Sequence, residues 1–268
     1  MPIPLHWHTE PLLLISLIGA GWLYALATGP LRARFAPKGT HYPGARAVAF
    51  YTGLVSVYLT VGSPLDQLGE DFLFSAHMVQ HMLLIYVAPP LVVTGMPPWL
   101  IDRALRPEPV CKAMRWLTRP VTAGVLFSLS YSIWHIPTLY EAALQDRTIH
   151  VLEHGFMFFP AILMWWPILS PSLRVPASSR GVCILYVFLL MVAQLPIFGF
   201  LTLSQNVWYP TYDFAPRLIP NFSALDDQVL GGIIMKVTNM LVSLIVAGVC
   251  FMQWYAMTEK PTYSRNHA

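Results

Sequence analysis

The sequence predicts an all-α fold, a polytopic membrane bundle of seven transmembrane helices, with the N-terminus outside and the C-terminus cytoplasmic. Three observations predict it. The 268 residues are 56% hydrophobic and only 11% charged, where a soluble domain carries about 25% charged residues. Seven stretches are apolar over the roughly 20 residues that a hydrocarbon core demands. The basic residues between those stretches fall almost entirely on one side.

The elements follow in order, as one membrane-embedded domain over residues 1–268. Span 1 is expected at 12–29. The preceding "MPIPLHWHTEP" lacks the basic region of a secretory signal, and no A-x-A-like site closes the apolar run, so the span is expected to be retained. A basic connection with Arg32, Arg34, Lys38 and Arg46 leads to span 2 at 44–62. An acidic connection with Asp66, Glu70 and Asp71 leads to span 3 at 73–93, which contains Pro89-Pro90. Arg103, Arg106, Lys112, Arg115 and Arg119 precede span 4 at 121–138. Glu141 and Asp146 precede span 5 at 150–169, with Pro160 and Pro167. Arg174 and Arg180 precede span 6 at 181–203, with Pro196. The connection 204–228 holds Trp208, Tyr209, Tyr212 and Phe214 and is expected to cap the outer mouth of the bundle. Span 7 at 229–255 is followed by Lys260 and Arg265. Proline is tolerated in membrane helices because neighbours satisfy the carbonyls it frees, so kinks are expected.

These loops place thirteen basic residues on one side and two, Arg147 and Arg217, on the other. Short cytoplasmic loops carry the excess of Lys and Arg, which sets the orientation. Cys111, Cys183 and Cys250 form no CxxC pair and fall near the cytoplasmic side, so neither a disulfide framework nor a thiolate metal site is expected. No basic run with interleaved aromatics points to nucleic acid.

Histidine is costly in hydrocarbon and is rarely placed there without a partner. "SAHMVQHMLL" carries His77 and His81 in span 3, roughly 6 and 12 Å below its start at 1.5 Å per residue. Residues i and i+4 share a helix face, so both rings can address one point. "IHVLEHGFM" repeats the spacing with His150 and His154 in span 5, with Glu153 beside them. His135, in "SIWHIPTLY", lies at the same level on span 4. Five of nine histidines thus form one outer layer. A lone membrane histidine more often hydrogen-bonds to a neighbouring helix, but two pairs and a fifth ring at one depth favour a metal. Imidazole suits copper, zinc, iron and nickel, and thioether suits copper(I). Met78 and Met82 flank the span 3 pair, and Met235 and Met240 lie on span 7, which favours copper over zinc; for the methionines alone, core packing is the default. The acidic outer loops read as a solvated face or as a cation-concentrating funnel. Lys236, inside span 7, is expected to snorkel outward or to pair with Asp227 or Asp66.

"SPLDQLGEDFLFSAHMVQHMLL" followed by "APPLVVTGMP" resembles the signature of the CtaG family associated with caa3-type cytochrome c oxidase. "WHIPTLYEAAL", "HVLEHGFMFFPAILMWWP" and "DDQVLGGIIM" are similar to its later motifs in the same order. The resemblance implies a seven-span inner-membrane assembly factor, not an enzyme, that delivers or inserts copper into the oxidase on the outer side. The motif histidines it implies are His77, His81, His135, His150 and His154, and the motif carboxylates are Asp66 and Asp227. The expected metal set is those five histidines, with Asp66, Met78, Met82, Glu153 and Asp227 as further ligands. Lys236 stands where the family pattern commonly has an aromatic residue. The expected partners are oxidase subunits, the lipid bilayer and, as an open alternative, a second copy of the chain. A transporter for copper or another cation is disfavoured, because spans 3, 4 and 5 continue inward with Leu, Ile, Phe and Trp and offer no polar path across the depth. Two other readings remain. One is a haem b redox protein with bis-histidine ligation between spans 3 and 5. The other is an intramembrane zinc hydrolase, for which Ser128, Ser130 and Ser132 offer hydroxyls.

Overall fold

A computed structural model describes Trp7 and residues 11–259, and the regular structure among them is entirely helical. The basic tail residues Lys260 and Arg265 and most of "MPIPLHWHTEP" lie outside the described residues.

From the N-terminus, α1 (Pro11–Thr28) leads through the short α2 (Arg32–Phe35) to α3 (Gly44–Val61). The acidic segment forms α4 (Pro64–Asp71). Span 3 is two helices, α5 (Phe74–Tyr86) and α6 (Ala88–Gly95). Two helices occupy the basic connection, α7 (Pro98–Ala104) and α8 (Glu108–Leu117). They are followed by α9 (Pro120–Trp134), α10 (Pro137–Gln145) and α11 (Arg147–Leu169). Span 6 is again two pieces, α12 (Arg180–Ala193) and α13 (Leu195–Thr202). The last loop carries α14 (Pro210–Phe214) and enters α15 (Ala224–Thr258).

Six segments among the described residues are long and apolar enough to cross a membrane: α1, α3, α5–α6, α11, α12–α13 and α15. The expected span 4 differs. Its helix α9 has 15 residues, about 22 Å at 1.5 Å per residue, against a hydrocarbon core of about 30 Å. It stops because Pro137 pushes Ile136 into an extended conformation (φ −68°, ψ 125°). The outward face of α9 is nevertheless apolar. Val121, Val125, Leu129 and Ile133 recur every four residues and are all exposed, the inverse of a soluble helix, whose exposed stripe is polar. Its inward face buries Ala123, Phe127 and Tyr131.

The prolines free carbonyls that other helices then satisfy, as the low-dielectric setting demands. Pro89 has no N–H for the Ile85 carbonyl, which accepts from Trp165 Nε1 at 2.8 Å. Pro160 does the same to Phe156, whose carbonyl accepts from Ser130 Oγ at 2.6 Å. Ser130 is therefore committed to repairing α11 rather than to catalysis. The two helix breaks, at Val87 and Gln194, meet side chain to side chain. Gln194 Nε2 donates to Tyr86 Oη at 3.2 Å, and Asn239 Nδ2 donates to the same oxygen at 2.7 Å.

Three contacts hold the histidine-bearing end of α5 in place. Asp227, in the first turn of α15, accepts from the backbone N–H of Phe74 at 2.7 Å and of Ser75 at 3.1 Å. These are orphan donors of the α5 N-terminus. One turn on, Gly231 faces Phe74 so closely that a Cβ there would lie 2.4 Å from the ring. On the opposite side of α5, a Cβ at Gly69 of α4 would lie 3.0 Å from the His77 backbone.

Candidate metal centre

His77 and His81 are carried on the inward face of α5, and His150 and Glu153 on the inward face of α11; all four are buried. The register of α11 is fixed at its start, where Asp146 Oδ1 accepts from the N–H of Thr148 at 2.8 Å and of Ile149 at 3.1 Å, an N-cap. The Nε2 atoms of His77 and His81 approach to 2.9 Å. Glu153 Oε1 lies 3.6 Å from the first and 3.4 Å from the second. All three side chains are fully buried.

These three distances test the fit of a metal. A triangle with those sides has a circumradius of about 1.9 Å, so a cation slightly out of its plane sits at about 2.0–2.1 Å from each atom, the bonding range for histidine nitrogen and carboxylate oxygen. The surrounding atoms fit as well. His77 Nδ1, His81 Nδ1, His135 Nε2, His150 Nε2, His154 Nε2 and both oxygens of Glu153 are buried without a hydrogen-bond partner. Buried polar groups are normally paired, and so many exceptions in one place need an explanation such as an ion.

The donors fall into three overlapping triads, each with its ligand atoms within 4.8 Å of one another: His77, His81 and Glu153; His77, His150 and His154; and Asp66, Glu70 and His150. The rings of His150 and His154 are 4.2 Å apart by centroid, and that of His77 is 5.6 and 5.9 Å from them. His150 Nδ1 is 2.5 Å from Glu70 Oε1.

Other expected ligands are placed differently. The ring of His135 is 5.8 Å from that of His81, its Nδ1 lies 2.6 Å from the Tyr131 carbonyl, and it belongs to none of the triads. Asp66 accepts from Gln80 Nε2 at 2.7 Å and reaches the cluster through His150. Asp227 is spent on the backbone of α5. Met78, Met82 and Met235 belong to the apolar core, and Met240 is partly exposed on α15. Lys236 donates to the Met191 carbonyl at 3.3 Å, so neither carboxylate expected for it is its partner. A haem between α5 and α11 would have to displace Glu153 from beside both imidazoles.

The acidic residues near the site are mostly caps and ties rather than a free acidic face. Asp146 and Asp227 cap helices, Asp226 completes a capping box with Ser223, and Glu141 accepts from Thr211 N and Oγ1. That last tie seats the 204–228 connection over the cluster. Tyr212 Oη donates to the Gly69 carbonyl at 2.7 Å and lies 2.9 Å from Tyr140 Oη. Tyr209 Oη donates to the His135 carbonyl at 2.9 Å, and its ring stacks on Phe74 at 4.9 Å. Burial pushes the Tyr140, Tyr209 and Tyr212 phenols upward from their ordinary value, so they remain neutral donors. Tyr209 and Tyr212 are buried against the cluster, whereas Phe214 is exposed.

Sequence reasoning gave Glu70 no role beyond the acidic loop. Its signal was present: Asp66 and Glu70 stand at i and i+4 in "PLDQLGED", the spacing that puts two side chains on one helix face.

Fold and site together define an α-helical protein of transmembrane character with a buried histidine–carboxylate cluster near one end of the bundle. The chain belongs to the family of cytochrome c oxidase caa3 assembly factors, Caa3_CtaG, whose family model matches residues 22–257. It is similar to uncharacterized proteins of Mycobacterium bovis (28% identity over 268 residues) and Mycobacterium leprae (29% over 271 residues). Each match covers 89% of this chain, which spans 38% of the length of those relatives. No solved structure matches the chain.

Proposed function

We propose that the chain binds copper at the histidine–Glu153 cluster, on the extracytoplasmic side of a bacterial inner membrane, and delivers it to cytochrome c oxidase. It does so as a binding protein, without catalytic turnover, in a seven-crossing arrangement with α9 as the fourth crossing. The observation that carries the reading is the triangle of His77 Nε2, His81 Nε2 and Glu153 Oε1, with sides of 2.9, 3.6 and 3.4 Å and a circumradius of about 1.9 Å. Among divalent first-row metals, copper(II) binds nitrogen donor sets most tightly, and imidazole serves both of its common oxidation states. The excess of basic residues in the connections away from the histidine layer supports the outward orientation of the site. Membership of an oxidase assembly family supports the oxidase as acceptor.

Metal analysis of detergent-purified protein tests the reading. Wild type grown with copper is expected to retain it, and His77→Ala/His81→Ala to lose most of it while eluting unchanged in size-exclusion chromatography. Equal copper in both would remove the site from α5.

A further inference from the structure

We infer that the cluster is built for two copper ions side by side, a sealed inner one and an exchangeable outer one, with the ring of His77 common to both. This rests on the copper reading above and goes beyond it in number, position and order of exchange.

The donor inventory exceeds one ion. A four-coordinate site uses one atom from each of four residues, whereas five residues, His77, His81, His150, His154 and Glu153, bring ligand atoms together here. They do not form one set. The structure separates them into the triad His77, His81 and Glu153 and the triad His77, His150 and His154. His77 faces the first with Nε2, 2.9 Å from His81 Nε2, and keeps a second nitrogen, Nδ1, without a partner; with both positions filled the ring bridges as imidazolate, its N–H proton released to solvent as the second ion binds.

An independent feature marks His150 as a ligand of the outer position. Its Nδ1 lies 2.5 Å from Glu70 Oε1. A carboxylate only accepts, so the proton of the neutral ring sits on Nδ1 and the lone pair on Nε2. Metal-binding histidines are oriented in this way by an outer carboxylate. That Nε2 is the atom left unpartnered.

The two positions differ in access. Every side chain of the inner triad is fully buried. His150 and His154 instead border a cavity of about 520 Å³ that also touches Asp66 and Glu70, and the Glu70 side chain is 30% exposed. An ion arriving from outside meets Glu70 and His150 first, occupies the outer triad, and reaches His81 and Glu153 by exchange across His77. Overlapping triads permit this transfer one ligand at a time, so no step requires a bare cation in the low-dielectric interior.

The experiment loads the full-length purified protein with copper(I) under anaerobic conditions and follows removal by a bathocuproine chelator. Two coppers per chain are expected in wild type, released in two phases of equal amplitude. His150→Gln/His154→Gln is expected to lose the fast phase and keep one slowly released copper. Glu153→Gln and His81→Gln are expected to lose the slow phase and keep the fast one, and His77→Gln to diminish both. Size-exclusion elution and an unchanged helical circular dichroism spectrum qualify each variant. One copper per chain, released in one phase that every variant weakens, would overturn the two-position inference and leave the copper reading standing. No copper in wild type would overturn both.

Discussion

Glu153→Leu is expected to make the metal-free protein more stable while weakening its hold on copper. Glu153 is fully buried, and neither carboxylate oxygen has a hydrogen-bond partner. Its nearest imidazole nitrogens stand at 3.4 and 3.6 Å, beyond good hydrogen-bond length. A charge so placed costs folding free energy; replacing a whole buried ion pair or triad with apolar groups of similar volume often stabilises by about 1–4 kcal/mol, and a carboxylate beside neutral imidazoles, with no charged partner to strand, should behave likewise when replaced alone. A gain of about 2 kcal/mol would raise the melting midpoint of a chain this size by roughly 4–8 °C. Glu153→Gln keeps a polar group in the same place and is expected to gain less. The assay is thermal unfolding in detergent, on chelator-stripped and copper-loaded samples in parallel. A ligand at 100 times its Kd adds about 2.7 kcal/mol, so the order of melting should invert: the variant melts above wild type without copper and below it with copper. A lower midpoint for metal-free Glu153→Leu would refute the reasoning. It would mean that the carboxylate is paired with a protonated imidazole at rest and holds α5 to α11 by that pairing.

Two further predictions concern the frame around the site. Trp165→Phe leaves the Ile85 carbonyl without a donor and is expected to cost about 1–3 kcal/mol; in a Pro89→Ala background, which returns a backbone N–H, the same change should cost at least about 1 kcal/mol less. Equal costs in both backgrounds, measured by denaturant titration, would count against the repair role of Trp165. Asp227→Ala removes the acceptor of two α5 backbone donors and is expected to cost about 1–2 kcal/mol and to lower copper retention by misplacing His77. Full copper retention would show that α5 needs no such anchor.

Much of the bundle was legible because apolar run length is a local property. The expected span 12–29 is the helix Pro11–Thr28, and 44–62 is Gly44–Val61. The convergence of the two H-x-x-x-H pairs was legible for the same reason, since a period of four fixes a face and loop charge fixes a level. Which proline breaks a helix was not. Pro160 and Pro167 both lie inside an unbroken α11, whereas Pro89 and Pro196 stand just after breaks. Nor were the long-range partners legible. Asp227 meets Phe74 across 153 residues of sequence, and Glu70 meets His150 across 80, so periodicity carries no trace of either. Asp227 was therefore grouped with the ligands, although its work is to cap α5.

The cluster keeps several ring nitrogens and both Glu153 oxygens without a partner only because the helices around it are tied independently. In a relaxed bundle, those atoms would turn to pair with backbone or with nearby side chains. Here α5 is fixed at its N-terminus by Asp227 and in its last turn by Trp165. The start of α11 is capped by Asp146, and its proline gap is closed by Ser130. Tyr209 and Tyr212 hold the lid to His135 and Gly69 through their own hydroxyls, without drawing on a ligand nitrogen. The hydrogen-bonding capacity of the frame is thus spent on the frame, and that of the cluster is left for a cation. Ligands preset near bonding distance have little ordering left to do when an ion arrives, which lowers the cost of binding. Overlapping triads keep the exit as accessible as the entry, which suits the delivery role proposed above.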